Sequence, residues 1–308
     1  MSRKKKRNAL LLLGSAAAVS ATTYYYLANN RKNEKGSHEV VQLLLKNQRG
    51  ADMPCLLYRP LTTKKYPLVI FCAGFHDDKT SDGRFTAIAE KLAQKGIASV
   101  MMDHAGCGES KEDFLQYSLS NSISDIDTLM SHLLISYPVD RDRMALVGYS
   151  MGGRDAVLFA RLRREFSTLV LLAPSLGRAY DGAAEELFGG VDSYKRLEES
   201  AAQNGYIFFE DGNERIKVSD RFFKDLKEYD CLRALEDFKG NILYVQGNKD
   251  EVISPEVSGR ALQYLNKKAK LNYVYLDQTN HKFNQGEKDP TQCERMIGLV
   301  SEYLSEKI

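Results

Sequence analysis

The sequence predicts an α/β domain, a mostly parallel sheet covered by helices on both faces, and three observations carry that expectation. Short, β-branched, uncharged runs alternate with longer stretches whose apolar residues recur at helical spacing. The run Leu68–Cys72 is apolar throughout, as a strand buried on both faces must be. A chain of 308 residues, 43% hydrophobic and 27% charged, can bury a sizeable core in one large domain with a modest insertion, or in two small domains.

Each element has a local reason. Glu39–Leu45 and Met53–Tyr58 read as strands joined through Gln48-Arg49-Gly50. Leu68–Cys72 is a buried strand, and Arg84–Gln94 a helix stopped by Gly96. Ile97–Met102 is a further strand. Ile123, Ile126, Met130 and Leu133 mark one face of a helix that ends before Pro138. Met144–Val147 is a strand, Gly152–Leu162 a helix, and Thr168–Leu172, Ile242–Val245 and Asn272–Leu276 complete the strands. The last helix is expected to open with Asp289 as cap and Pro290 in the first helical position. Residues 174–240 interrupt the rhythm and are too long for a simple connection. Charged helices and the aromatics Phe188, Phe208, Phe209, Phe222 and Phe223 there suggest a cap over the carboxyl edge of the sheet.

A net charge of +2, with no strongly basic folded segment, argues against nucleic acid as a partner. Cys55, Cys72, Cys107, Cys231 and Cys293 are odd in number, widely spread and without a C-x-x-C pair. They read as buried free thiols and not as a metal site or a disulfide framework.

The basic cluster Arg3–Arg7 precedes Ala9–Ala28, which carries no charge. This is the layout of a signal anchor or signal peptide over residues 1–28, followed by a polar linker over 29–36 and the main domain over 37–308. A helix rising about 1.5 Å per residue over that span just crosses a hydrocarbon core of roughly 30 Å. Tyr24-Tyr25-Tyr26 suits the interface at its far end. The basic excess before the span places the N-terminus in the cytoplasm and the domain outside, anchored in the cell membrane. Small residues at Val19-Ser20-Ala21 leave cleavage and secretion as the alternative.

The chemistry is concentrated in Gly148-Tyr149-Ser150-Met151-Gly152-Gly153, a G-x-S-x-G pattern between a buried strand and a helix. A nucleophilic serine needs such a sharp turn to project its hydroxyl at a sheet edge above a helix N-terminus. The order of such a triad is serine, acid, histidine. His281 is the one histidine after Ser150, and it falls in a loop after the last strand, where a base would sit. Asp250 leaves the penultimate strand through Gly247-Asn248-Lys249 and is the acid expected to hold the imidazole, with Glu251 and Asp277 as alternatives. The oxyanion hole should draw on the backbone N–H of Met151 and of Phe75, in the loop after Leu68–Cys72. His76 reads as an exposed loop histidine near the pocket mouth.

From about Leu43 onward the chain resembles α/β-hydrolase-fold esterases related to feruloyl (cinnamoyl) esterases and monoacylglycerol lipases. The resemblance is carried by the Ser150 motif, by Asp103-His104-Ala105-Gly106-Cys107-Gly108-Glu109-Ser110, and by Gly247-Asn248-Lys249-Asp250-Glu251-Val252. The stretch Asp220-Arg221-Phe222-Phe223-Lys224-Asp225, leading to Tyr229-Asp230, is similar to the feruloyl-esterase insertion. The resemblance implies hydrolysis of a small carboxylic ester through an acyl-enzyme, without metal or cofactor. In one respect the chain departs from it: where that family usually has His-Gly-Phe, this chain has Ala73-Gly74-Phe75. A peptidase, amidase or thioesterase shares these motifs, and a non-catalytic membrane-tethered binding protein is the reading from another class.

Overall fold

The structure is a computed structural model that describes residues 31–32 and 37–308, apart from positions 63, 181 and 213. The expected span Ala9–Ala28 lies outside the described residues, as does most of the expected linker. Among the described residues no helix is long and apolar enough to cross a membrane.

The first half of the sheet is built from β1 (Arg31–Lys32), β2 (His38–Lys46), β3 (Asp52–Pro60), β4 (Tyr66–Cys72) and β5 (Ala98–Met102), with α1 (Arg84–Gln94) between the last two. Then come α2 (Leu119–Ser136), β6 (Val139–Tyr149), α3 (Gly152–Leu162) and β7 (Phe166–Leu172). The cap follows as α4 (Ala183–Phe188), α5 (Val191–Asn204), β8 (Tyr206–Asp211), β9 (Glu214–Ser219), α6 (Asp220–Glu228) and α7 (Cys231–Asp237). The chain closes with β10 (Asn241–Gly247), α8 (Pro255–Leu262), β11 (Lys270–Leu276) and α9 (Thr291–Lys307).

The strands lie in the order β1-β2-β3-β5-β4-β6-β7-β10-β11. Pairing is antiparallel from β1 through β3 to β5 and parallel from there to β11. Because side chains alternate along a strand, the central strands feed two cores. Leu68 and Ile70 of β4 pack on one face with α2, α3 and the cap, while Val69 and Phe71 pack on the other with α1 and α9. This is why these runs carry no polar alternation. All five cysteines are free and buried.

The helix boundaries follow the chain's local chemistry. The Ser118 hydroxyl accepts the Asn121 N–H at the start of α2, and Pro138 forbids its continuation. Ser219 caps α6 and Ser254 caps α8, the latter with Pro255 in the first helical position. Phe222 and Phe223 of α6 are fully buried, each contributing about 1.5–3 kcal/mol relative to exposure, and they root the cap.

The structure corrects three expectations about elements. β6 begins at Val139 and not at Met144, because Tyr66 pairs with Val139 ahead of a register shift. Pro290 occupies the cap position of α9, although Asp289 still accepts the Thr291 N–H from one residue further out. The cap contains more than helices, since β8 and β9 form an antiparallel hairpin.

Candidate active site

β6 passes directly into α3 at Ser150 and Met151. Ser150 sits at φ 53°, a left-handed conformation that costs a non-glycine residue strain and persists only where surrounding contacts enforce it. Its N–H is held by the Leu172 carbonyl and its carbonyl receives the N–H groups of Gly153 and Ser175. Gly152 is required by close approach, since a Cβ there would lie 2.0 Å from the Cys72 carbonyl oxygen. The end of β4 is thereby pressed against the first turn of α3.

The loop after β11 brings His281 to this turn. Its Nε2 lies 3.0 Å from Ser150 Oγ and its Nδ1 lies 2.9 Å from Asp250 Oδ2. Ser150, Asp250 and His281 are 6%, 5% and 7% exposed, so the hydrogen bonds work in a largely water-excluded setting where they are stronger than in water. Asn280 and Asn284 brace the histidine loop reciprocally, each side-chain oxygen accepting the other's backbone N–H. Phe283 anchors it in the core. The Tyr149 ring lies against His281 with centroids 5.2 Å apart, and the Arg84 guanidinium sits 4.1 Å from the Tyr149 ring centroid. Of the alternative acids, Glu251 and Asp277 are both exposed, and the Asp277 carboxylate accepts from the Asn248 amide.

Phe75 and Met151 occupy the positions expected of oxyanion donors. Gly74 brings the loop so close that a Cβ there would lie 3.3 Å from Ser150 Cβ. Among the described residues, nothing accepts the backbone N–H of either Phe75 or Met151, which leaves both free for a ligand oxygen. The Asp103 motif has a scaffolding part: its carboxylate accepts the N–H groups of Lys79 and Glu109 and pairs with the Lys79 ammonium at 2.6 Å.

Two residues of the site escape a reading by motif. Gln246, fully buried at the end of β10, donates Nε2 to Asp250 Oδ2 at 2.9 Å while its Oε1 accepts from Ser258 at 2.7 Å. Asp250 Oδ1 accepts the N–H groups of Val252 and Ile253, so every lone-pair direction of the carboxylate is met. Arg154, in the first turn of α3, is also buried. It donates to Ser175 and to the Gly177 carbonyl, and it lies 3.8 Å from the buried Glu186 of α4. Ser175 in turn donates to Glu186, and burial pushes that carboxyl above its ordinary range. Nothing but a glutamine within reach of the acid, and an arginine after the double glycine, marks these roles in the sequence.

His76 is not the exposed histidine expected. Its ring packs edge-on against Phe114 and its side chain is 15% exposed, with Nδ1 2.7 Å from Asp211 at the tip of the cap hairpin.

Sheet order, elbow and cap are those of an α/β-hydrolase, and the comparisons with known proteins agree. Residues 63–197 match the family model described as serine aminopeptidase, S33. Among solved structures, the chain is similar to Est1E from Butyrivibrio proteoclasticus with ferulic acid bound, at 19% identity and a TM-score of 0.66, covering 85% of this chain and 98% of that one. It is similar to acetyl xylan esterase 1 from Thermoanaerobacterium sp. JW/SL YS485 at 18% identity and a TM-score of 0.63, covering 94% and 88% of the two chains. A putative hydrolase from Agrobacterium vitis S4 shows 18% identity and a TM-score of 0.68, covering 87% and 99%. No curated protein sequence matches the chain. The chain has the α/β-hydrolase fold.

Proposed function

We propose that this protein is a serine esterase that cleaves carboxylic esters of small acyl or aryl substrates through an acyl-enzyme. The single observation that carries the reading is the unbroken hydrogen-bonded line from Ser150 through His281 to Asp250. In the proposed reaction Ser150 Oγ attacks the ester carbonyl carbon as its proton passes to His281 Nε2. Charge gathers on the carbonyl oxygen, which the free N–H groups of Met151 and Phe75 receive, a donor of this kind contributing about 3–4 kcal/mol to the barrier. His281 then gives its proton to the departing alkoxide, and water repeats the cycle on the acyl-enzyme. Asp250 holds Nδ1–H and stabilises the imidazolium while it exists.

Aryl esters are favoured by the rings around the oxyanion loop, where Phe114, Tyr117, Phe209 and Phe222 all lie within 5.8 Å of Phe75, centroid to centroid. Ferulic acid, bound in the Est1E structure, is a ligand of that aromatic kind. The family description supports a peptidase as the second reading. Purified enzyme tested on p-nitrophenyl esters and on aminoacyl p-nitroanilides separates the two. Ser150→Ala should abolish ester turnover and fluorophosphonate labelling, and undiminished turnover in that variant would overturn the mechanism.

The segment Arg3–Ala28 is proposed to hold the domain at the outer face of the cell membrane, on the strength of its basic cluster and uncharged span. Full-length protein should then sediment with membranes in high salt. Recovery of the intact chain in the soluble cytoplasmic fraction would refute the anchor.

A further inference from the structure

The loop that presents the Phe75 N–H is held from two sides. On one side stands the segment after β5, whose Phe114 and Tyr117 rings meet Phe75 edge-on at 5.4 Å each. On the other stands the cap, with Phe209 of β8 at 5.8 Å and Phe222 of α6 at 5.6 Å. The next residue adds a polar tie to these ring contacts. His76, at φ 53°, turns its ring out of the loop, sets Nδ1 2.7 Å from Asp211 Oδ2 and brings Nε2 to 3.5 Å from Glu214 Oε2. Asp211 and Glu214 are the last paired residues of the β8–β9 hairpin, so both carboxylates belong to its tip.

We infer that His76 is a positioning residue that latches the oxyanion loop to the cap hairpin, so that seating the hairpin over the serine and fixing the Phe75 donor are one event. The inference rests on the serine-hydrolase reading above. It assigns the loop-holding task to His76, one residue after the phenylalanine that donates. His76 touches neither the serine nor the other triad members. It acts through the placement of one backbone donor, and that placement matters only once charge develops on the substrate oxygen. Its loss should therefore lower kcat and leave KM nearly unchanged.

The test is a double-mutant cycle on p-nitrophenyl butyrate hydrolysis, between His76→Ala and Asp211→Ala/Glu214→Ala. The carboxylate pair sits at a hairpin tip, with Asp211 44% and Glu214 72% exposed, so the second variant leaves the core untouched even where the first does not fold well. Each arm should lose about tenfold to a hundredfold in kcat, a part of the value of one oxyanion donor. The combined variant should be no worse than the weaker arm, and His76→Gln, which keeps a donor toward Asp211, should recover part of the loss. Additive losses, or a rise in KM at constant kcat, would overturn the latch. Fluorophosphonate labelling of the wild-type enzyme separates the two levels. Without labelling of Ser150 the serine-hydrolase reading itself fails, whereas labelling that proceeds at the wild-type rate in both arms defeats the latch alone.

Discussion

Replacing Asp250 by asparagine exchanges one oxygen for an NH2 group, and the surrounding hydrogen bonds decide the consequence. Every neighbour of the carboxylate is a donor. The backbone N–H groups of Val252 and Ile253 reach Oδ1 at 3.0 and 2.8 Å, while Gln246 Nε2 and His281 Nδ1 both lie 2.9 Å from Oδ2. The two backbone donors cannot rotate away, so the new NH2 must take the Oδ2 place and face Gln246 and His281. Gln246 is held in its present orientation by the Ser258 hydroxyl. His281 is the group that can adapt, by moving its proton to Nε2 so that Nδ1 becomes an acceptor. That tautomer points an N–H at Ser150 Oγ and cannot receive the serine proton. The expected loss is about 10⁴ in kcat, or about 5 kcal/mol of barrier. The amide left facing Gln246 should also cost about 1–3 kcal/mol of stability. Turnover of p-nitrophenyl butyrate measures the first and a denaturant titration the second. Asp277→Asn is the control. Its carboxylate is exposed and meets the Asn248 amide, so stability should stay within about 0.5 kcal/mol and turnover should be preserved. A crippled Asp277→Asn beside an active Asp250→Asn would show the acid to be Asp277.

Other variants test the supports around the site. Gln246→Leu removes a donor from Asp250 and leaves the Ser258 hydroxyl without its acceptor, so kcat should fall about tenfold with a lowered Tm; wild-type turnover would show that the backbone alone positions the acid. Arg154→Met strands the buried Glu186 carboxylate and should cost about 3–5 kcal/mol by denaturant titration, whereas Arg154→Met/Glu186→Leu should recover most of that; an equal loss in both would exclude the charge as the cause. Burial pushes the His104 imidazole down to about 4 from its ordinary 6.5. The folded ring is therefore neutral where the unfolded ring takes up a proton, and its contribution to stability falls as pH drops through that window, by up to about 3 kcal/mol. His104→Leu should flatten this part of the stability profile, and an unchanged acid slope would show that His104 is not its source.

Much of the fold was legible in the chain because its causes are local. Buried strands such as Leu68–Cys72 announce themselves by apolar runs, and α2 by the helical spacing of Ile123, Ile126, Met130 and Leu133. The elbow was legible for the same reason: a serine forced to φ 53° between a strand and a helix needs small neighbours, and the motif is the record of that need. Chain order then pointed from Ser150 to His281 and to Asp250, with Glu251 and Asp277 still open as the acid, and the tertiary structure joins Ser150, His281 and Asp250 by hydrogen bonds. What the sequence did not determine depends on partners far away along the chain. The strand start at Val139 follows from pairing with Tyr66, and the cap hairpin from an aromatic-rich segment and a charged one that have no buried-strand signature. His76 meets Asp211 across 135 residues, and Arg154 meets Cys231 across 77. A side chain's type states what it can bond to. Only the packing of sheet against cap decides which partner arrives, because burial makes an unmet polar group costly and leaves few ways to satisfy it.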